Sequence, residues 1–457
     1  MPQALTPLLL GVGILLGGAV VARLLTRWTG WGPAGGVALI VAAPLAPHVT
    51  IASSLSADDL LPLLGLGLLA WRRPVPRLTG DRLLRWILVA MAVATLARIG
   101  TALVNGDPTH STLTQLVQAI ARPLVLVGVA CYVGATAPER DRLRFVSMAM
   151  GAIGTFEAAF SLIGFVFGLP GHAGIDPTRV GTSLYGVCPG RVSGTLGLSA
   201  NHIGALFVLT IPVSAALALH EAGWRRWAWV GATGLQSAAL VLTFTRSSIL
   251  IAGILTLAFL VYERRFVVGA LVVATTAAIL VIAVGVSCTG SPVAGRITDR
   301  TDRLALWYAA ARIAIDHPLF GVGLDRMNEV VNANPQRYKK TPFGTVTSSA
   351  HNTILLAAAE TGIAGGLAIL AVNVGVGLLA LRLAWRGRRR ERELLLAAAL
   401  ALAGYLAQGM VNNLFSVPGT SVLFACVIGA FAVARGEGGE GPYTPRKLDD
   451  RGPDGDV

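Results

Sequence analysis

Charge is what this sequence has least of. Asp, Glu, Lys and Arg make up 13% of its 457 residues, where a soluble domain carries about a quarter. With 54% hydrophobic residues, that shortage excludes a soluble all-α protein. Acids are scarcer than bases, 24 against 37. Cysteines number four, and no histidine or cysteine cluster stands at metal-ligand spacing, so no metal is expected. The Asp299/Asp302 pair is accounted for as a helix N-terminal cap and dipole partner. A Walker loop, a GxGxxG after a strand and a Gly-x-Ser-x-Gly are all missing, which removes support for nucleotide binding or serine-hydrolase chemistry. No cofactor is implied. Nor is there an internal repeat of the kind that marks the inverted halves of many transporters.

What is present is a succession of apolar runs, each long enough to cross ~30 Å of hydrocarbon. About thirteen candidate spans lie near 5–22, 33–50, 58–71, 83–104, 114–137, 145–168, 199–219, 227–244, 247–262, 266–286, 352–381, 394–414 and 419–435. The first reads as a span, not a cleaved signal peptide, since no positive residue precedes Arg23. The third is short enough to be tilted or re-entrant. The expected fold is an all-α polytopic membrane protein of about 12–13 transmembrane helices, GT-C-like, with a large, partly helical external loop between late spans. Residues 1–286 hold about ten spans and an external loop at 169–198. Residues 287–351 form the large external loop, 352–435 the last transmembrane helices, and 436–457 a Gly-, Pro- and charge-rich tail expected to be disordered and cytoplasmic.

Arginine sets the orientation. One alternating set of loops holds Arg23/Arg27, Arg72/Arg73/Arg77/Arg82/Arg85, Arg140/Arg142/Arg144, Arg225/Arg226, Arg264/Arg265 and the run from Arg382 to Arg392. Its opposite set holds almost none, so the first set is expected to be cytoplasmic. The net charge of +13 is then a topology signal, not a sign of nucleic-acid binding.

Polar chemistry concentrates between Thr298 and Glu360. A helical pattern puts Leu304, Trp307, Tyr308, Ala311 and Ile315 on one face. Pro318 stops it, Gly321 and Gly323 turn the chain, and a second short helix is expected over Asp325–Val331. His351 follows, at the N-terminus of a long apolar helix, where the helix dipole disfavours imidazolium. A neutral histidine there is suited to accept a proton near pH 7. Arg246 lies in a predicted outer turn, and Arg98 and Arg122 fall inside apolar spans, where charge is costly and defaults to a functional or paired role. Glu157 and Glu360 are the only acids embedded in these spans away from their ends. That level therefore reads as cationic and suited to a phosphate. Arg191 in a Gly- and hydroxyl-rich stretch, Asn201, Asn352 and Arg303 complete the candidates. Cys131 and Cys426 lie within spans; Cys188 and Cys288 lie in the external loops, on the oxidising side, where a disulfide and two free thiols are both open.

Three ordered pieces resemble one family. They are Arg191-Val-Ser-Gly-Thr-Leu-Gly followed by Asn201, then Thr243-Phe-Thr-Arg246-Ser-Ser, then Arg303…Trp307…Asp316-His-Pro318-Leu-Phe-Gly321-Val-Gly323…His351-Asn352…Glu360-Thr-Gly362. Over roughly the C-terminal two-thirds of the chain, this order is similar to the O-antigen ligase and polymerase family. The departures are His202 beside Asn201 and a span count one above the usual twelve. The resemblance implies a metal-independent membrane glycosyltransferase of lipopolysaccharide or other cell-surface polysaccharide synthesis. It would take a glycan from undecaprenyl pyrophosphate at the outer face of the bacterial inner membrane and pass it to a lipid A core, another glycan or another acceptor. His351, Arg246 and Arg303 match the family's essential histidine and arginines; Arg191, Arg122, Arg98, Asn201 and Asn352 are the expected substrate-binding residues. The rival class is a multi-span transporter or flippase for an anionic or lipid-linked substrate.

Overall fold

The protein is seen as a computed structural model that describes residues 82–105, 112–136, 142–167, 200–243, 245–262, 301–346, 349–386, 392–414 and 418–433. Short pieces at 40, 50–52, 55–56, 62, 65–66, 182–183, 186–187 and 192 are also described. The expected spans 5–22, 33–50, 58–71 and 266–286 lie wholly or almost wholly outside these residues, as do the tail, Arg191, Cys188 and Cys288. Each remaining expected span is a helix: α1 (Arg82–Val104), α2 (Thr112–Thr136), α3 (Arg142–Phe167), α4 (Ala200–His220), α5 (Trp224–Leu242) and α6 (Arg246–Tyr262), then, after two helices of the polar segment, α9 (Thr353–Arg386), α10 (Arg392–Gly409) and α11 (Pro418–Val433). Those two are α7 (Thr301–Asp316) and α8 (Met327–Ala333). Four helices, at Arg82–Val104, Leu143–Ile163, Ala200–His220 and Thr353–Trp385, are long and apolar enough to cross a membrane on their own count. The chain is an all-α polytopic membrane protein.

The helix α4 is apolar all round, the pattern of a helix enclosed by others. Every residue from Ile203 to Ser214 is buried, and α4 packs on α3, α5, α6 and α10. Its small polar residues are used between helices. The Gln236 amide of α5 donates to Ser214 Oγ at 2.9 Å and Thr155 Oγ1 at 3.1 Å, and its carbonyl accepts from Thr210 Oγ1 at 2.8 Å. Such side chains join membrane helices because lipid offers them no other partner. A second sub-bundle pairs α1 with α9 and α2 with α11.

Polar ties define two ends of the bundle. At one, Arg144 Nε donates to Glu221 Oε1 at 2.6 Å, and the Tyr262 hydroxyl accepts from Arg392 Nε at 3.0 Å. This end carries Arg144, Arg225 and Arg392. The other end gathers the first residues of α4, α6 and α9 and the last of α1, α5 and α10. It is covered by α7, α8, a π-helical turn (Pro335–Lys339) and the short hairpin β5–β6 (Lys340–Thr341 and Gly344–Thr345), among the described residues the last of three small antiparallel ribbons after β1–β2 (Thr50–Ala52, Leu55–Ser56) and β3–β4 (Thr182–Ser183, Gly186–Val187).

This cap has its own core of Ala305, Ala309, Ile313, Met327, Val331 and Tyr338. Here the expected face of α7 is wrong: Leu304 and Ile315 are 44% and 71% exposed, whereas Ala305, Leu306, Ala309, Ala310 and Ile313 are buried. From Leu304 to Ala311 no residue is charged, so periodicity alone could not choose a face. The alanine side wins because small side chains let α7 lie close against α9. At its end, Asp316 accepts from Arg337 Nε at 2.8 Å and Tyr338 Oη at 2.9 Å, and these contacts, Arg337 first, hold the carboxyl well below the usual carboxylate range.

The glycine motifs dock the cap on α9. Gly362 has φ 85° and ψ 173°, which breaks α9 after Thr361. The break frees carbonyls that must find other donors. Val322 N donates to Ala359 O at 3.0 Å, Gly323 N to Glu360 O at 3.1 Å, and Ile363 N to Pro318 O at 2.9 Å. Thr101 Oγ1 of α1 adds a bond to Glu360 O at 2.9 Å. A Cβ on Gly362 would run into the Leu319 carbonyl, and one on Gly321 (φ 63°) into the Glu360 backbone. Only glycine fits either place.

Candidate active site

The site is built on the turn that ends α10. Three successive carbonyls there, left without helical donors, hold three residues of the cap and α9. Met410 O accepts from Asn352 Nδ2 at 3.1 Å, Val411 O from Arg303 Nη1 at 2.8 Å, and Asn412 O from Thr353 Oγ1 at 3.0 Å. The Asn352 carbonyl meanwhile accepts from the amides of Ile354 and Leu355, both at 3.0 Å. That is an N-cap for α9, so the Asn352 amide group is taken up in fixing the helix that follows His351. Asn413 Nδ2 donates to Ser349 Oγ at 2.7 Å and ties down the approach to His351 from the other side.

His351 itself has φ 47°, a left-handed conformation uncommon outside glycine. Strain of this kind persists where surrounding structure dictates it, often at functional sites. The imidazole is half-buried and lies within electrostatic reach of Arg303. Burial first, and the Arg303 guanidinium second, push its pKa below the ordinary histidine value. The direction expected from the helix terminus is found, but burial and an arginine produce it. Burial likewise lowers the pKa of Arg303, which as a guanidinium stays charged. His202, one residue beyond Asn201 on α4, lies within electrostatic reach of His351.

Arg246 and Asn201 meet at a neighbouring corner. Thr243 closes α5 by donating to Leu240 O at 2.7 Å and accepts from Thr245 N at 3.2 Å. Thr245 Oγ1 then donates to Ala200 O at 3.0 Å at the start of α4, and Arg246 opens α6. Thr-Phe-Thr-Arg is thus a helix stop, a pin and a helix start. Gly204 allows the close approach of α4 to α6, since a Cβ there would come within 2.7 Å of Ser248 Oγ. Val192, next to the undescribed Arg191, donates its amide to Leu242 O at 3.3 Å, which brings this residue of the Arg191 motif to the end of α5. A buried chain links the corner to His351's helix. Gln408 Nε2 donates to Ser248 Oγ at 2.6 Å, Asn412 Nδ2 to Gln408 Oε1 at 2.8 Å, and Thr353 to Asn412 as above.

Arg98 and Arg122 are brought together elsewhere. They line a cavity of about 100 Å³ between α1, α2 and α9, whose polar wall also holds Thr353, Glu360, Asp325 and Asn413. Through Thr353 and Asn413 it adjoins the α10 turn. The Glu360 carboxylate faces the backbone amides of Asp325 and Met327 at the entrance to α8. Asp325, with φ 59°, corrects the sequence reading: the level of these arginines is not uniformly cationic, because the cap lowers a second carboxylate into it. Glu157 is buried in α3.

Sequence reasoning missed Gln408, Asn412, Asn413 and Asp325. The first three had a signal, a polar cluster closing an otherwise apolar span. Asp325 had none, since only the docked cap brings it to the arginines.

Residues 231–370 match the family model described as O-antigen ligase. The matched stretch runs from α5 into α9 and contains Arg246, Arg303, His351 and both docking glycines. No curated protein matches the chain. The family match supports an O-antigen ligase/polymerase-like family, as the ordered motifs implied, and with it a membrane glycosyltransferase-type role in polysaccharide synthesis.

Proposed function

We propose that this protein transfers a glycan from undecaprenyl pyrophosphate to an acceptor hydroxyl, without a metal ion, at the outer face of a bacterial inner membrane. One observation carries the reading. A half-buried histidine held below its ordinary pKa lies within electrostatic reach of a half-buried arginine, at the bundle end opposite Arg144, Arg225 and Arg392. In the reaction the acceptor oxygen bonds to the anomeric carbon as the bond to pyrophosphate breaks. His351 takes the acceptor's proton, and Arg303 and Arg246 stabilise negative charge building on the leaving pyrophosphate. The anomeric centre inverts. His351, Arg303 and Arg246 are the residues assigned to catalysis. Arg191, Arg98, Arg122 and Asn201 bind substrate, and Asn352 positions His351 through the α9 cap.

Purified protein in liposomes, given a lipid-pyrophosphate glycan and an acceptor, is expected to yield an acceptor enlarged by the glycan mass. The yield should be unchanged by EDTA. Activity lost with EDTA and restored by a divalent cation would overturn the arginine-based mechanism. Glycan moved across the bilayer with no enlarged acceptor would favour the transporter.

The orientation has its own check. A cysteine introduced at Gly387 is expected to be shielded from an impermeant thiol reagent in intact cells, and one at Thr345 to react. The reverse pattern would put the site on the cytoplasmic side.

A further inference from the structure

Pro318-Leu-Phe-Gly321, the turn that seats the cap against α9, carries two large apolar side chains that no core encloses. Leu319 is 75% exposed and Phe320 41%, and no charged residue stands between His317 and Asp325. A single exposed leucine is ordinary on any protein. This pair is distinguished by what lies beside it. On α1, Val89, Val93, Leu96 and Leu103 are all exposed and share one face at helical spacing, on a helix long and apolar enough to cross a membrane. Gly100 falls on that same face and offers no side chain. Phe320 stands over the gap: a Cβ on Gly100 would come within 3.1 Å of the Phe320 ring. Beside α1, α9 carries a second exposed stripe of Ile363, Leu367, Leu370 and Val374. It begins at the turn, where Ile363 N donates to Pro318 O at 2.9 Å. Apolar stripes along the exposed face of a span are what lipid covers, and both of these run into Leu319 and Phe320.

We infer that Leu319 and Phe320 lie in the lipid leaflet on the cap's side of the membrane, so that this turn anchors the cap in the bilayer. Continuity with the two stripes carries the inference, since no charged residue belongs to either stripe or to the turn. The backbone suits the place as well. Lipid tolerates irregular chain only where its polar groups are answered. Here Gly321 N donates to His317 O at 3.0 Å, and Asn105 Nδ2 donates to Phe320 O at 3.3 Å and Gly321 O at 2.9 Å. Pro318 has no N–H to satisfy, and its carbonyl is taken by Ile363. The depth is shallow. Gly100 lies one turn inside the end of α1 at Val104, about 6 Å along the axis, which is the boundary between headgroups and acyl chains. The anchored turn is also the one bonded across the Gly362 break. Lipid therefore holds the cap and the kinked start of α9, next to His351, at one level. Nothing in this depends on the transferase reading.

The test measures what surrounds the turn. Full-length protein in nanodiscs carries a nitroxide on a p-acetylphenylalanine introduced at Leu319, which leaves the four cysteines untouched. Its collisions with oxygen, which concentrates in lipid, are compared with its collisions with a water-soluble nickel chelate. The same label at Leu367, on the α9 stripe, and at Thr345, exposed on β6, calibrates the two surroundings. Leu319 is expected to resemble Leu367, with oxygen favoured several-fold. A label at Leu319 as open to nickel as one at Thr345 would put the turn in water and overturn the inference. So would a label shielded from both reagents, which would mean that protein, a second copy of the chain included, covers the turn. Leu319→Asp gives a second reading that needs no label. In nanodiscs it is expected to melt several degrees below Leu319→Ser, because lipid penalises the carboxylate far more than the hydroxyl. Equal melting temperatures would place this side chain in water and overturn the inference as well.

Discussion

Replacing His351 with alanine is expected to slow transfer by about 10²–10⁴-fold, the usual worth of a positioned general base, and to leave binding of the lipid-pyrophosphate donor near wild type. The imidazole acts on the acceptor's proton, and the arginines hold the phosphates. Glycine at the same position should be as inactive but better folded. At φ 47° alanine keeps a left-handed strain of roughly 1–2 kcal/mol, whereas glycine carries none. The pair therefore separates backbone from imidazole, and added imidazole should restore part of the activity of His351→Gly. The pH profile follows from the direction of the shift. A base whose pKa is lowered by burial and Arg303 stays neutral as pH falls, so the acid limb of kcat/KM should lie below the ordinary histidine value of about 6.5. Stability follows the same sign. Just below that value the unfolded chain binds a proton that native His351 does not, so this contribution is full above it and is lost as pH falls further. Donor affinity that collapses in His351→Ala, or transfer that survives, would remove the base assignment and pass it to His202, which lies within reach.

The membrane helices were legible because lipid imposes one strong rule, about twenty apolar residues per crossing, and each expected span among the described residues is a helix. Site residues were legible where they broke that rule: Arg98 and Arg122 inside spans, and His351 where a polar segment meets one. The family's spaced glycines were legible as turns, but not as what they are here. Gly321 and Gly362 lie forty-one residues apart in sequence and exist to let two backbones touch, a fact of tertiary contact that no local pattern carries. The same holds for Asp325, an ordinary loop acid until the cap is docked. Leu304 and Ile315 misled for the opposite reason. In the uncharged middle of α7, Leu304 to Ala311, size of side chain, not polarity, decides which face is buried.

Arg303 and Arg246 are expected to fail differently, although both serve the same leaving group. Each alanine variant removes a charge-assisted contact worth roughly 1.5–3 kcal/mol, so donor affinity should fall by about 10- to 150-fold, with turnover falling too. Lysine should rescue each only in part, because it keeps the charge and loses the planar fork. Only Arg303 acts on His351. Its removal takes away a neighbouring cation that disfavours imidazolium, so the His351 pKa should rise and the acid limb of kcat/KM move to higher pH. It also leaves Val411 O without its 2.8 Å donor at the turn that positions Asn352 and Thr353, adding a structural loss. Arg303→Lys should hold the acid limb near its wild-type position. Arg246, which opens α6 beside Asn201, should leave the limb where it is in either variant. The decisive readings are donor affinity and the acid limb for Arg303→Ala, Arg303→Lys and Arg246→Ala. A limb that moves in Arg246→Ala and not in Arg303→Ala would exchange the two roles. A limb that moves in neither would mean that the group titrating in catalysis is not His351.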